Sequence, residues 1–142
     1  MTTHLYLLIG IAAPASITYI ILDGGFLNGD HAVFAHSGLL FLGIGDSVAA
    51  LWGKHYGVTK WNGLIHKKTQ EGSSKAALAL IMGYYAFCVV VYPPMNSMFL
   101  IIVLASIIVC VIEGLTSTFD NLVCPLFYFV ALHQLHDYFL HM

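Results

Sequence analysis

Long apolar runs, interrupted by one lysine-bearing block, leave this chain few ways to fold. The runs cover approximately residues 5–22, 32–52, 74–92, 98–112 and 122–140. All five lysines lie between Lys54 and Lys75, and the chain has no arginine. The chain is 59% hydrophobic and only 8% charged, against about 25% in a typical soluble domain. Its mean hydropathy is +0.85. So little polar surface cannot face water all round. The expected fold is all-α, a polytopic transmembrane helical bundle of about five membrane helices, since a crossing needs about 20 apolar residues. Residues 1–142 are expected to form one membrane-embedded domain. No repeat, linker or low-complexity stretch divides them.

The charge pattern orients the bundle. The 53–75 block holds five lysines against Glu71 alone, a local balance of +4, and six acids lie outside it. Basic loops stay on the cytoplasmic side, so this loop is expected there. Alternation then puts the 23–31 and 93–97 turns on the far side and brings 113–121 back to the cytoplasmic side. Two polar segments distant in sequence are thus expected to meet at one face. Nucleic acid is excluded as a partner by the greasiness of the chain. No basic leader segment precedes the first run, which disfavours a cleaved signal peptide.

Three features could carry chemistry. Asp46 lies six residues before the end of its apolar run, on the order of 9 Å below the boundary at about 1.5 Å per residue. A carboxylate so placed faces a cavity, a partner or an ion more often than lipid. Gly43 and Gly45 beside it permit close backbone approach. The second feature is Lys67-Lys68-Thr69-Gln70-Glu71-Gly72-Ser73, directly before a helix. Two ammonium groups, hydroxyls and helix N-terminal amides are the parts of a phosphate cradle. The spacing is not that of a Walker A loop. The same loop could equally serve only to fix topology and meet anionic lipid. The third is Glu113 with Asp120, seven residues apart, so that they share a face if the segment is helical. Their oxygens suit Mg²⁺. Helix capping explains Asp120 but not Glu113 at the end of an apolar run.

Other residues rank lower. Cys88, Cys110 and Cys124 sit in apolar runs without metal-ligand spacing and read as small buried hydrophobes. His133 and His136 are three apart with no third ligand in reach. Trp52, Trp61, Tyr84 and Tyr85 suit interface belts or packing. Carboxylates and lysines at one face point to a metal-bound polyphosphate and to phosphoryl transfer.

Three blocks together resemble the dolichol kinase family, within the CTP-dependent lipid kinase and cytidylyltransferase-like membrane superfamily. They are Gly43-Ile44-Gly45-Asp46-Ser47-Val48-Ala49-Ala50, the Lys67 to Ser73 block, and Glu113-Gly114-Leu115-Thr116-Ser117-Thr118-Phe119-Asp120-Asn121-Leu122. The opening His4 to Gly10 segment is similar as well. The Lys-Lys-Thr-x-Glu-Gly block discriminates most, because phytol and diacylglycerol kinases of the superfamily tend to show Lys-Ser-x-Ala-Gly-Ser there. Ser73 stands where the family usually has Thr, which keeps the hydroxyl. The chain is much shorter than typical members, so it corresponds to a short or partial form.

The resemblance implies transfer of the γ-phosphate of CTP to dolichol, giving dolichyl phosphate for protein glycosylation. It implies an endoplasmic reticulum membrane location with the site facing the cytoplasm. The expected catalytic residues are Asp46, Lys67, Lys68, Glu71 and Asp120. Gly45, Lys67, Lys68, Thr69, Glu71, Gly72 and Ser73 are expected to bind CTP, and Asp46, Glu113 and Asp120 to hold Mg²⁺. The alternatives are a CTP-dependent kinase of another lipid alcohol, such as polyprenol or diacylglycerol, and an inactive membrane fragment or subunit.

Overall fold

The structure, a computed structural model, describes residues 2–21, 30–61, 68–91, 96–116 and 120–141. Lys67, most of the 23–31 loop, the Pro93-Pro94 turn and Ser117 to Phe119 lie outside the described residues. Helices α1 (Thr2–Ile21), α5 (Gln70–Val91), α6 (Asn96–Leu115) and α7 (Asp120–Leu140) form the long columns. The second apolar run is also helical, but in pieces: α2 (Asp30–Ala35), α3 (Ser37–Leu40), a π-helical turn over Phe41–Asp46, and α4 (Ser47–Tyr56). Among the described residues there is no strand beyond one antiparallel bridge between Lys60 and Thr69.

The all-α expectation therefore holds. Two helical stretches, Gln70–Val90 and Met98–Leu115, are long and apolar enough to cross a membrane. Both present large apolar side chains outward, with Met82 on the first 72% and Leu100 on the second 51% exposed. The core lies between the columns, where Phe41, Leu80, Tyr84, Val109, Tyr128 and Leu132 are buried. Its polar tips are paired. Tyr84 donates to the Val33 carbonyl at 3.3 Å, and the Ser106 and Tyr128 hydroxyls meet at 2.9 Å. Pairing matters because water is absent there to satisfy an orphaned hydroxyl.

Two helix ends differ from the hydropathy boundaries. Helix α4 runs past Trp52 through Lys54 and His55, which sit in its last turn where cations oppose the negative helix end. It stops at Gly57, which turns extended while its N–H still reaches the Gly53 carbonyl. Helix α5 starts at Gln70 rather than Ser74, because the Thr69 hydroxyl caps it by accepting the Gly72 N–H at 3.2 Å. The basic loop is thus 57–69, shorter than the polar stretch.

The prolines do more than bend helices. Pro14 has no N–H, so the Gly10 carbonyl one turn earlier has no intrahelical donor. That oxygen abuts Gly38, where a methyl group would collide with it. Pro125 likewise frees the Asn121 carbonyl, which abuts Gly10. Glycine is required at both places because backbone meets backbone, and such contacts suit weak C–H···O bonds. A relay of proline-freed carbonyls thereby joins α7 to α1 and α1 to α3.

Candidate active site

At one end of the bundle, α4, the N-terminus of α5 and the C-terminus of α6 enclose a cleft of about 400 Å³. Asp46, Ala49, Ala50, Gly53 and Lys54 form the α4 wall. Lys68, Thr69, Gly72 and Ser73 form the α5 side, and Glu113 contributes from α6. Asp46 closes the π-helical turn. The Ser47 hydroxyl donates back to the Leu42 carbonyl at 3.5 Å, five residues earlier, as a widened turn requires. One such turn shifts every later side chain around the helix, which is why π-turns recur at functional sites.

Lys68 ties the two polar segments together. Its ammonium lies 2.9 Å from Asp120 Oδ2 and 3.9 Å from Glu113 Oε1, and it donates to the Glu113 backbone carbonyl at 2.9 Å. The basic loop and the 113–121 segment thus meet. Asp46 lies within electrostatic reach of Lys68, Asp120 and Glu113. Asp46 has no ion pair among the described residues. Glu113 is 3% exposed, and its Oε2 has no hydrogen-bond partner among the described residues.

The loop is fixed by its own contacts. The Glu71 carboxylate accepts the Thr59 N–H at 3.0 Å and the Val58 N–H at 3.3 Å. The Gln70 N–H reaches the Thr59 carbonyl at 2.8 Å, and the Trp61 N–H reaches the Lys68 carbonyl at 3.2 Å. The indole N–H of Trp61 donates to the Ser73 hydroxyl at 3.1 Å. Its ring covers Gly114, where a methyl group would lie 2.6 Å from Nε1. Gly53, Gly57 and Gly72 let α4 and the loop close tightly on Thr69 and on the Ala49 carbonyl.

Of the residues singled out from sequence, Asp46, Lys68, Thr69, Gly72, Ser73 and Glu113 converge on the cleft, and Asp120 joins through Lys68. Gly45 is buried against the Leu80 side chain, and Glu71 faces the loop amides; neither lines the cleft. Lys67 lies outside the described residues. The α5 amides expected to cradle phosphate are engaged already: Gln70 N–H by Thr59, Gly72 N–H by the Thr69 hydroxyl, Ser73 N–H by the Thr69 carbonyl. Side chains are left to meet an anion, namely Lys68, Lys54 and the Ser73 hydroxyl, which accepts from Trp61 and keeps its own proton to donate. Sequence reasoning missed Trp61 as a site neighbour and Ala49, Ala50 and Gly53 as a wall. The small side chains four and seven residues beyond Asp46 were the available signal.

No protein-family model matches the chain, and no solved structure matches it either. The chain is similar to the dolichol kinase of Homo sapiens, 31% identical over 134 residues that make up 92% of this chain and 24% of that protein. It is 33% identical to dolichol kinase EVAN of Arabidopsis thaliana over 139 residues, 93% of this chain and 22% of that protein. With the dolichol kinase of Saccharomyces cerevisiae it shares 35% identity over 88 residues, 62% of this chain and 13% of that protein. The first two matches leave too few residues at the chain ends to omit any from Asp46 to Asp120. This chain is a relative of the dolichol kinases along nearly all of its own length and spans about a quarter of theirs.

Proposed function

We infer that this chain carries the phosphotransfer site of a CTP-dependent dolichol kinase, moving the γ-phosphate of CTP to the dolichol hydroxyl. The product is dolichyl phosphate for protein glycosylation, made at the endoplasmic reticulum membrane with the cleft facing the cytoplasm. About five crossings would embed residues 1–142 as one domain. The observation that carries the reading is the Lys68 bridge to Asp120 and Glu113 across a cleft walled by Asp46.

Cations and hard oxygens at one cleft are what a nucleotide triphosphate needs. Three carboxylates against few lysines leave the cleft short of positive charge for a polyphosphate. The donor chemistry suits Mg²⁺: carboxylate oxygens, one of them buried without a hydrogen-bond partner among the described residues. Asp46, Glu113 and Asp120 would hold it, and it supplies charge neutralisation and phosphate orientation when bound. Lys67 and Lys68 meet the remaining phosphate charge, and the Ser73 hydroxyl donates to it. The alcohol oxygen attacks the γ-phosphorus, the bond to the β–γ bridging oxygen breaks, and CDP leaves. Glu71 is committed to loop amides, which leaves Asp120, through the oxygen not given to the metal, as the carboxylate that would take the alcohol proton. The isoprenoid tail stays in lipid, and only its hydroxyl passes the small-residue wall of α4.

The test is transfer of label from γ-labelled CTP or ATP to dolichol in membranes carrying this chain. We expect labelled dolichyl phosphate from CTP, and none with Asp46→Asn. Equal transfer to diacylglycerol or a short polyprenol would reassign the acceptor. Membrane insertion without Mg-CTP binding would favour a non-enzymatic subunit.

A further inference from the structure

Lys68 bridges two of the carboxylates to which the proposed function gives a divalent cation. Its ammonium lies 2.9 Å from Asp120 Oδ2 and 2.9 Å from the Glu113 carbonyl, with Glu113 Oε1 at 3.9 Å. It remains 20% exposed, so it can leave. Yet one ammonium satisfies the acids incompletely. Glu113 is 3% exposed and walls the cleft, and its Oε2 is unpartnered among the described residues. Asp46 has no ion pair among the described residues. Among those residues no group of three acidic, histidine or cysteine side chains is disposed as a ready metal nest.

We propose that Lys68 is a resident counter-cation that the arriving metal–nucleotide complex exchanges: the divalent ion takes Glu113 and Asp120, and the freed ammonium moves onto phosphate. This rests on the kinase reading of the cleft. A divalent ion arriving alone must break a charge-assisted pair and leave Lys68 facing it with no anion to receive it. With nucleotide present, the phosphate supplies that anion. Cation and nucleotide therefore bind cooperatively, each raising the affinity of the other by the same factor.

Mn²⁺ binding to the purified full chain, read by electron paramagnetic resonance without nucleotide, tests this. Lys68→Gln keeps an amide donor for the Glu113 carbonyl and removes the charge. We expect it to bind Mn²⁺ about tenfold tighter than the unaltered chain, as removal of a nearby unit charge from a shielded site predicts. Unchanged or weaker binding in folded Lys68→Gln, with folding checked by circular dichroism, overturns the proposal. A second readout needs no variant: acylation of lysines by an N-hydroxysuccinimide ester, followed by mass spectrometry. Saturating Mn²⁺ alone should raise labelling of Lys68 several-fold relative to Lys54, and adding a non-hydrolysable CTP analogue should suppress it. Constant Lys68 labelling under saturating Mn²⁺ overturns the exchange. Failure of the CTP analogue to bind the unaltered chain with Mn²⁺ would instead sink the kinase reading, and the Lys68→Gln comparison stands apart from it.

Discussion

Trp61 and Gly114 form a pair in which the absent side chain of one makes room for the ring of the other. The indole N–H adds a 3.1 Å bond to Ser73. Trp61→Phe keeps an aromatic ring over Gly114 and removes that bond, so we expect a loss of about 0.5–1.5 kcal/mol in detergent-solubilised unfolding. Gly114→Ala should cost more, because the added methyl displaces the ring from α6. Glu71 is testable by a different measurement. Its carboxylate holds two backbone amides, so Glu71→Gln should speed hydrogen exchange at Val58 and Thr59 while leaving the α6 core amides unchanged. Equal exchange rates would show that Glu71 does not pin the loop. Asp46 and Glu113 were legible in the sequence because a carboxylate in an apolar run is expensive wherever it goes. Glu71 was legible as important but not by role, since a carboxylate beside lysines looks the same whether it faces phosphate or backbone.

Helix ends and helix contacts follow a different logic. Apolar runs marked where the columns lie, but caps decided where they stop. Thr69→Ala should destabilise the start of α5 by about 1 kcal/mol and leave the Gly72 N–H unpaired, read as faster exchange there. The break of the second run into α2, α3, a π-turn and α4 could not be read from hydropathy, which is insensitive to an extra residue in a turn. The proline relay was equally hidden. A proline inside an apolar run signals a local loosening of its helix, whereas the destination of the carbonyl that Pro14 frees depends on which helix packs there. Gly38→Ala should cost about 1–3 kcal/mol in thermal unfolding by pushing α3 off the Gly10 carbonyl, as overpacking does elsewhere. A neutral Gly38→Ala would mean the two backbones do not touch.

For the whole molecule, the alternation of apolar runs and the lysine pattern together anticipated that the two polar segments share an end, and the Lys68 contacts place them together there. Orientation in a bilayer is checked by labelling. In a chain without native cysteines, Val58→Cys and Leu115→Cys should react with an impermeant maleimide from the same side, both positions being exposed. Reaction from opposite sides would break the topology on which the proposed function depends. The relay described above extends to this scale. Asn121, whose carbonyl rests on Gly10, directly follows Asp120, which grips Lys68. The opening helix is therefore a datum against which the Asp120–Lys68 pair is set, and crowding at Gly10 would shift a contact it never touches.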